Sequence, residues 1–314
     1  HAPTPPAAAP RGAPAPPPLH RPPLNHRSAD TPTPGGSTAN PDVHHWPPER
    51  LRWFVDTHRE SHYQLVDVRQ PEEYEEAHIP GARLMPLPEL EARLYDLPAD
   101  QDLIFYCRSG GRSAYAAALA SEGEVTGKSV AHLEGGILAW DGNTLAAFPR
   151  VAVFDGAADS AALLTTAMNL EKGAFRFYAG VLQAAAPEAL RPMLDKLSRA
   201  EEAHARRVYR HLVAVDATVP SFEDLYAGLA GDVLEGGGTI DEMTARFSEM
   251  FGDSCLNIVE IGLSIEFAAF DLYRTMAERA TDPAAKRTFL EIAQAEKGHM
   301  RMLSRGIEHC RRAG

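Results

Sequence analysis

The chain has 314 residues, 44% hydrophobic and 24% charged, enough for about two cored domains at the usual ~150 residues each. Its formal net charge of −12 argues against nucleic acid or an anionic membrane as the main partner. No apolar run reaches the ~18 residues of a membrane span. Three scattered cysteines, Cys107, Cys255 and Cys310, exclude a disulfide scaffold and a four-cysteine metal site, and are expected to be reduced. The N-terminus lacks the basic-then-apolar pattern of a secretory signal, so a cytoplasmic location is expected.

Fifteen of the 25 prolines fall in residues 1–48. Residues 1–45 therefore read as a disordered Pro/Ala-rich tail with little apolar material to bury. Residues 46–150 alternate short strands and helices. Residues 64–68, 102–106 and 129–133 read as buried strands, with helical stretches at 71–77, 88–95 and 112–122. That alternation predicts an α/β domain with a parallel sheet covered on both faces. Residues 151–159 form a linker. From 160 to 314 the chain is rich in Ala, Leu, Glu, Arg and Met at helical spacing, which predicts an all-α domain.

Cys107-Arg108-Ser109-Gly110-Gly111-Arg112 follows a strand and opens a helix. The first helical turn presents unpaired N–H groups and the positive end of the helix dipole. Glycines let successive N–H groups curl inward as an anion nest, which favours a thiolate at Cys107. Arg108, Ser109, Gly110, Gly111 and Arg112 are the candidate anion-binding residues. Asp67 and Arg69 are expected to form a structural pair, and His78 a structural contact. The loop resembles that of the rhodanese family, Cys-x-x-Gly-x-Arg. The segments Leu65-Val66-Asp67-Val68-Arg69, His78-Ile79-Pro80-Gly81-Ala82 and Glu134-Gly135-Gly136-Ile137-Leu138-Ala139-Trp140 resemble further family landmarks in order. The resemblance implies that Cys107 takes a sulfane sulfur from a donor such as thiosulfate and passes it to a thiol or cyanide-type acceptor. The family's phosphatase and arsenate-reducing relatives carry a loop one residue longer, so the resemblance implies that this shorter loop suits sulfur rather than a tetrahedral phosphate.

The helical part contains a repeat offset by 95 residues: Glu171, Tyr178, Glu201 and His204 fall on Glu266, Tyr273, Glu296 and His299. Glu and His at i and i+3 share a helix face. For the lone Glu, 30 residues earlier, to meet them, each pair of helices must be antiparallel with the turn midway. The midpoints fall at Ala186, beside Pro187, and at Thr281, beside Asp282-Pro283, where proline is tolerated. Two such hairpins give a four-helix bundle. A Glu from each of two helices plus Glu-x-x-His from each of the other two is the ligand set of a two-metal carboxylate site. Four carboxylates and two imidazoles favour iron or manganese.

This half resembles the ferritin-like superfamily, its rubrerythrin-type members most closely. The resemblance implies two iron ions, with manganese as the alternative, on Glu171, Glu201, His204, Glu266, Glu296 and His299. The chain departs from that pattern at Ala269, where a further carboxylate is usual. Tyr178 and Tyr273 read first as core side chains with the hydroxyl satisfied; hydrogen-bonding a ligand or carrying a radical is the alternative. The connection from 214 to 253 should carry short helices near 222–231 and 240–251. The expected function is sulfur transfer at Cys107 beside a di-iron site acting on oxygen, peroxide or a sulfur species. Two alternatives are an iron-binding or oligomerising bundle joined to a sulfur carrier, and use of the cysteine loop on phosphate or arsenate. A homodimer through the bundle is an expected assembly.

Overall fold

The structure, a computed structural model, describes residues 43–184, 186–249 and 254–313. The first part is a five-stranded parallel sheet of β1 (Val43–Trp46), β2 (Tyr63–Asp67), β3 (Arg83–Leu84), β4 (Asp102–Tyr106) and β5 (Val130–Leu133), in the order β1-β5-β4-β2-β3. Its helices are α1 (Pro48–Thr57), α2 (Pro71–Glu76), α3 (Leu87–Arg93), α4 (Gly111–Glu122) and α5 (Gly136–Ala139). The central strands β2 and β4 are buried apart from Asp102 at the start of β4, as strands in a sheet covered on both sides should be. One face packs Val66, Leu103, Phe105 and Val130 under α3 and α4; the other packs Leu65, Ile104, Tyr106 and Leu133 under α1 and α2.

Most of the expected 1–45 tail lies outside the described residues, but its last three belong to the sheet. Val43, His44 and His45 pair in parallel with Val130, Ala131 and His132. The reason is edge position: β1 bonds a neighbour on one side only, so two histidines are tolerated and the stretch reads as polar. The expected linker is also part of the packed structure. Val151–Phe154 forms a short 3-10 turn, and Phe154 is buried against Phe289.

The helical part comprises α6 (Ser160–Ala184), α7 (Arg191–Val215), α8 (Phe222–Gly228), α9 (Ile240–Glu249), α10 (Ser254–Arg279) and α11 (Pro283–Ala313). The pairs α6–α7 and α10–α11 are hairpins that turn at the proline-marked midpoints, and α8 and α9 sit in the crossover. Two apolar clusters fill the bundle. One takes Leu164, Leu170, Val208, Leu212, Leu272 and Phe289; the other takes Phe177, Leu194, Leu197, Ile258, Ile261 and Leu303. Each of the four long helices, α6, α7, α10 and α11, contributes to both, so a zone at mid-height lies between two apolar layers.

The two parts are bolted together by buried polar contacts. Asp271 of α10 accepts from the Gly81 backbone N–H at 2.7 Å and lies 3.0 Å from His78 Nε2. Arg274 donates to the Glu60 carbonyl at 2.9 Å, and Lys297 forms a buried ion pair with Glu60. Gly81, at φ +76°, packs so tightly on Phe270 that an added Cβ would lie 2.6 Å from its ring. Asp67 and Arg69 form a buried pair at 2.6 Å.

The expectation that Cys255 and Cys310 stay reduced is overturned: they form a disulfide between the start of α10 and the end of α11. Spacing of 55 residues hides such a bond from motif reading, yet the turn at Asp282 lies midway between them, as it does between Glu266 and Glu296. The cysteine pattern thus gives no support to a reducing compartment. Among the described residues no helix is long and apolar enough to cross a membrane.

Candidate functional site

Two sites emerge. At the first, β4 ends at Tyr106 and the chain turns through Gly110, at φ +100°, into α4. Cys107 lies at this turn, 1% exposed, and the Gly110 N–H donates to its Sγ at 3.1 Å. Burial pushes the thiol up, but the Ser113 hydroxyl and the N–H groups of Ser113, Gly110 and Ser109 outweigh it and bring the thiol below the ordinary cysteine range. The N–H groups of Ile137 and Leu138 bind the carbonyls of Cys107 and Arg108 at 2.8 and 3.1 Å. This ties the carbonyls back to α5. Gly136, at φ +60°, makes that approach possible, since a Cβ there would lie 2.4 Å from the Cys107 carbonyl oxygen.

The two arginines have different fates. Arg112 bonds both oxygens of Glu73 at 2.7 and 2.8 Å, so its forked donors are taken. The Arg112 guanidinium holds the Glu73 carboxyl at about 2. Arg108 and Ser109 are exposed.

The second site occupies the mid-height of the bundle, where Glu171, Glu201, His204, Glu266, Glu296 and His299 converge, all buried. His204 Nδ1 lies 3.3 Å from Glu171 Oε2, and His299 Nδ1 lies 3.1 Å from Glu266 Oε2. Glu201 turns Oε2 to His204 (3.4 Å) and Oε1 to His299 (3.1 Å); Glu296 turns Oε1 to His204 (3.7 Å) and Oε2 to His299 (3.0 Å). The donors thus form two halves, Glu171 with His204 and Glu266 with His299, spanned by two carboxylates.

Both tyrosines bond the lone Glu of the opposite hairpin: Tyr273 donates to Glu171 at 2.9 Å, and Tyr178 donates to Glu266. Glu260 is exposed and stands apart from the cluster.

Glu171 Oε2, both oxygens of Glu201, His204 Nδ1 and Glu296 Oε1 are buried without a hydrogen-bond partner. Each such group costs ~1–3 kcal/mol unless something faces it. Cations at this point would satisfy all of them, so the residues fit a metal centre. Burial raises Glu171 and Glu296 above the carboxylate range despite the histidines nearby. Burial acts to lower His204 and His299, but the surrounding carboxylates outweigh it and raise both. A metal would displace those protons.

Sequence reasoning missed Glu235, 2% exposed, which the crossover brings to the cluster. Its carboxylate oxygen lies within 4.8 Å of oxygens of Glu171 and Glu201. Only the Gly236-Gly237-Gly238 run beside it hinted at a tight turn.

An α/β domain with a cysteine nest, joined to a four-helix bundle with a carboxylate–histidine centre, defines the class. Residues 51–143 match the family described as rhodanese-like domain, and residues 257–312 match rubrerythrin. The chain is similar to a sulfurtransferase of Allochromatium vinosum, 43% identical over 76 residues, covering 24% of this chain and 69% of that protein. It is similar to the putative sulfurtransferase YtwF of Bacillus subtilis, 35% identical over 80 residues, covering 26% and 75%. It is also similar to the probable adenylyltransferase/sulfurtransferase MoeZ of Mycobacterium tuberculosis, 39% identical over 95 residues, covering 30% of this chain; the chain spans only 23% of that protein's length. The chain belongs to the rhodanese-like family through its first domain, fused to a rubrerythrin-type bundle.

Proposed function

We propose that this protein is a sulfurtransferase in which Cys107 carries the sulfur, coupled to a di-iron oxidoreductase centre in the bundle. The observation that carries the first half is the Cys107 thiol held in a nest of backbone N–H groups that lowers its pKa. The Cys107 thiolate attacks the outer sulfur of a sulfane donor such as thiosulfate. A new S–S bond forms on Cys107, the donor's S–S bond breaks, and sulfite leaves with the electron pair. The nest holds the persulfide anion, and exposed Arg108 draws in the anionic donor. A thiolate or cyanide acceptor then attacks the outer sulfur and returns Cys107 as thiolate, so no outside oxidant or reductant is needed.

In the bundle, Glu171 and His204 on one side and Glu266 and His299 on the other, with Glu201 and Glu296 between them, would hold two irons. Bound iron would supply one-electron chemistry toward oxygen, peroxide or a sulfur species. Tyr178 and Tyr273 fix the orientation of Glu266 and Glu171, and the apolar layers above and below exclude bulk water.

The test is cyanolysis of thiosulfate by the intact protein, with metal analysis of the same sample. We expect activity that is lost in Cys107→Ser with metal content unchanged, and about two metal ions per chain that fall away in Glu201→Ala. Absence of cyanolysis in the wild type would end the transferase reading; a metal-free bundle whose melting is insensitive to added iron would end the di-iron reading.

A further inference from the structure

The crossover between the two hairpins is not a passive tether. Asn169, Lys172 and Arg176, on one face of α6, bind its backbone: Asn169 accepts from the Gly231 N–H at 2.8 Å, Lys172 donates to the Leu229 carbonyl at 2.6 Å, and Arg176 donates to the Ala230 carbonyl at 2.6 Å. The chain then doubles back in a tight turn, with Val233 bridging Thr239, the Leu234 N–H on the Gly238 carbonyl at 2.8 Å, and the Gly237 N–H on the Leu234 carbonyl at 2.7 Å. Gly173 of α6 admits this turn, since a Cβ there would lie 2.1 Å from the Val233 carbonyl oxygen. On the other side a Cβ on Gly236 would meet the Ala268 methyl of α10 at 2.9 Å. The turn is thus wedged between the two helices that carry Glu171 and Glu266, with Glu235 at its tip.

Such an arrangement is costly without a purpose. A carboxylate 2% exposed, with Oε2 lacking any hydrogen-bond partner, is driven against two other buried carboxylates. Its neighbours are Glu171 and Glu201, which places it with the Glu171–His204 half. The repeat that generates the other six donors has no counterpart of Glu235, so it breaks the near two-fold equivalence of the site.

We infer that Glu235 is a seventh metal donor, delivered by the crossover turn, and that it makes the two metal positions unequal, the one beside Glu171 and His204 binding the tighter. This rests on the two-metal reading of the bundle. One more anionic oxygen on one side raises the affinity of that position for a hard divalent cation. It also links metal binding to the crossover, which is pinned to α6 by the same turn.

The experiment is an anaerobic titration of the metal-free full-length chain with Co(II), followed by its visible absorption, for wild type, Glu235→Gln, Glu235→Asp and Glu266→Gln. Gln matches the protonated carboxyl in shape, so the metal-free fold should persist, checked by melting without metal. We expect the wild type to take up two Co(II) in two resolved steps. Glu235→Gln should weaken the first step by ~10- to 100-fold and merge it with the second. Glu235→Asp should recover part of the gap, and Glu266→Gln should weaken the second step instead. Two Co(II) bound by Glu235→Gln with wild-type affinities and spectrum would overturn the assignment while leaving the two-metal site standing. A wild type that binds no Co(II) would overturn both. Should Glu235→Gln fail to fold, Glu235→Asp decides: an unchanged first step and spectrum count against the assignment, and a weakened first step supports it.

Discussion

The cysteine loop and the carboxylate cluster solve opposite construction problems. The first concentrates positive potential from backbone N–H groups within about one helical turn, so its parts are neighbours in sequence and its accuracy depends on glycines. The second concentrates negative charge from side chains on four helices, so its parts are far apart in sequence and its accuracy depends on hairpins and on the layers above and below. Local sites should therefore fail through backbone substitutions, and distributed sites through loss of helix pairing.

Breaking the pairing has the largest expected effect. The Cys255–Cys310 bond closes a 55-residue separation, for which chain entropy predicts about 4 kcal/mol, felt mainly in the unfolded state. Cys255→Ser should lower the melting temperature and the retention of metal during dialysis, with sulfur transfer by the folded fraction unchanged. Equal melting of the oxidised and reduced proteins would contradict this.

On the other side of the comparison, Gly136→Ala forces a Cβ to within 2.4 Å of the Cys107 carbonyl oxygen. Displacing the loop by even a fraction of an ångström should cost sulfur transfer ~10- to 100-fold in kcat/KM, while metal content stays at the wild-type level. Parallel loss of both would mean that the two sites are less separable than their geometry suggests.

The mildest and sharpest test uses pH. The reacting form is the thiolate, whose folded pKa lies below the ordinary cysteine value, so transfer is full above that pKa and declines as pH falls through it. Ser113→Ala removes one group that stabilises the anion, so the acid limb of the rate profile should move to higher pH. An unmoved limb would show that the backbone N–H groups alone set the thiol.

The sequence revealed these regions unequally, for physical reasons. Alternation exposed β2, β4 and β5 because they are buried on both faces, whereas β1 hid behind His44 and His45 at the sheet edge. The repeat exposed six cluster residues because helix period and turn position must agree. Glu235 carries no such periodicity; a loop carboxylate gains meaning only when Gly173 and Ala268 show how close the turn comes. The swapped bonds from Tyr178 to Glu266 and from Tyr273 to Glu171 were hidden because each joins different hairpins. The fate of Arg112 was hidden because Glu73 lies 39 residues away.

The bolt between the two parts limits how evolution or an engineer could reuse them. Excising the α/β domain would strand Asp271, Arg274 and Lys297 without the Gly81, His78 and Glu60 groups that now satisfy them. Exposed to water these side chains rehydrate, but the apolar skin around them, Phe270 included, is laid bare with them. The two halves are therefore not interchangeable cassettes: each has been tailored to its neighbour, and swapping in another bundle would require the Asp271, Arg274 and Lys297 positions to travel with it.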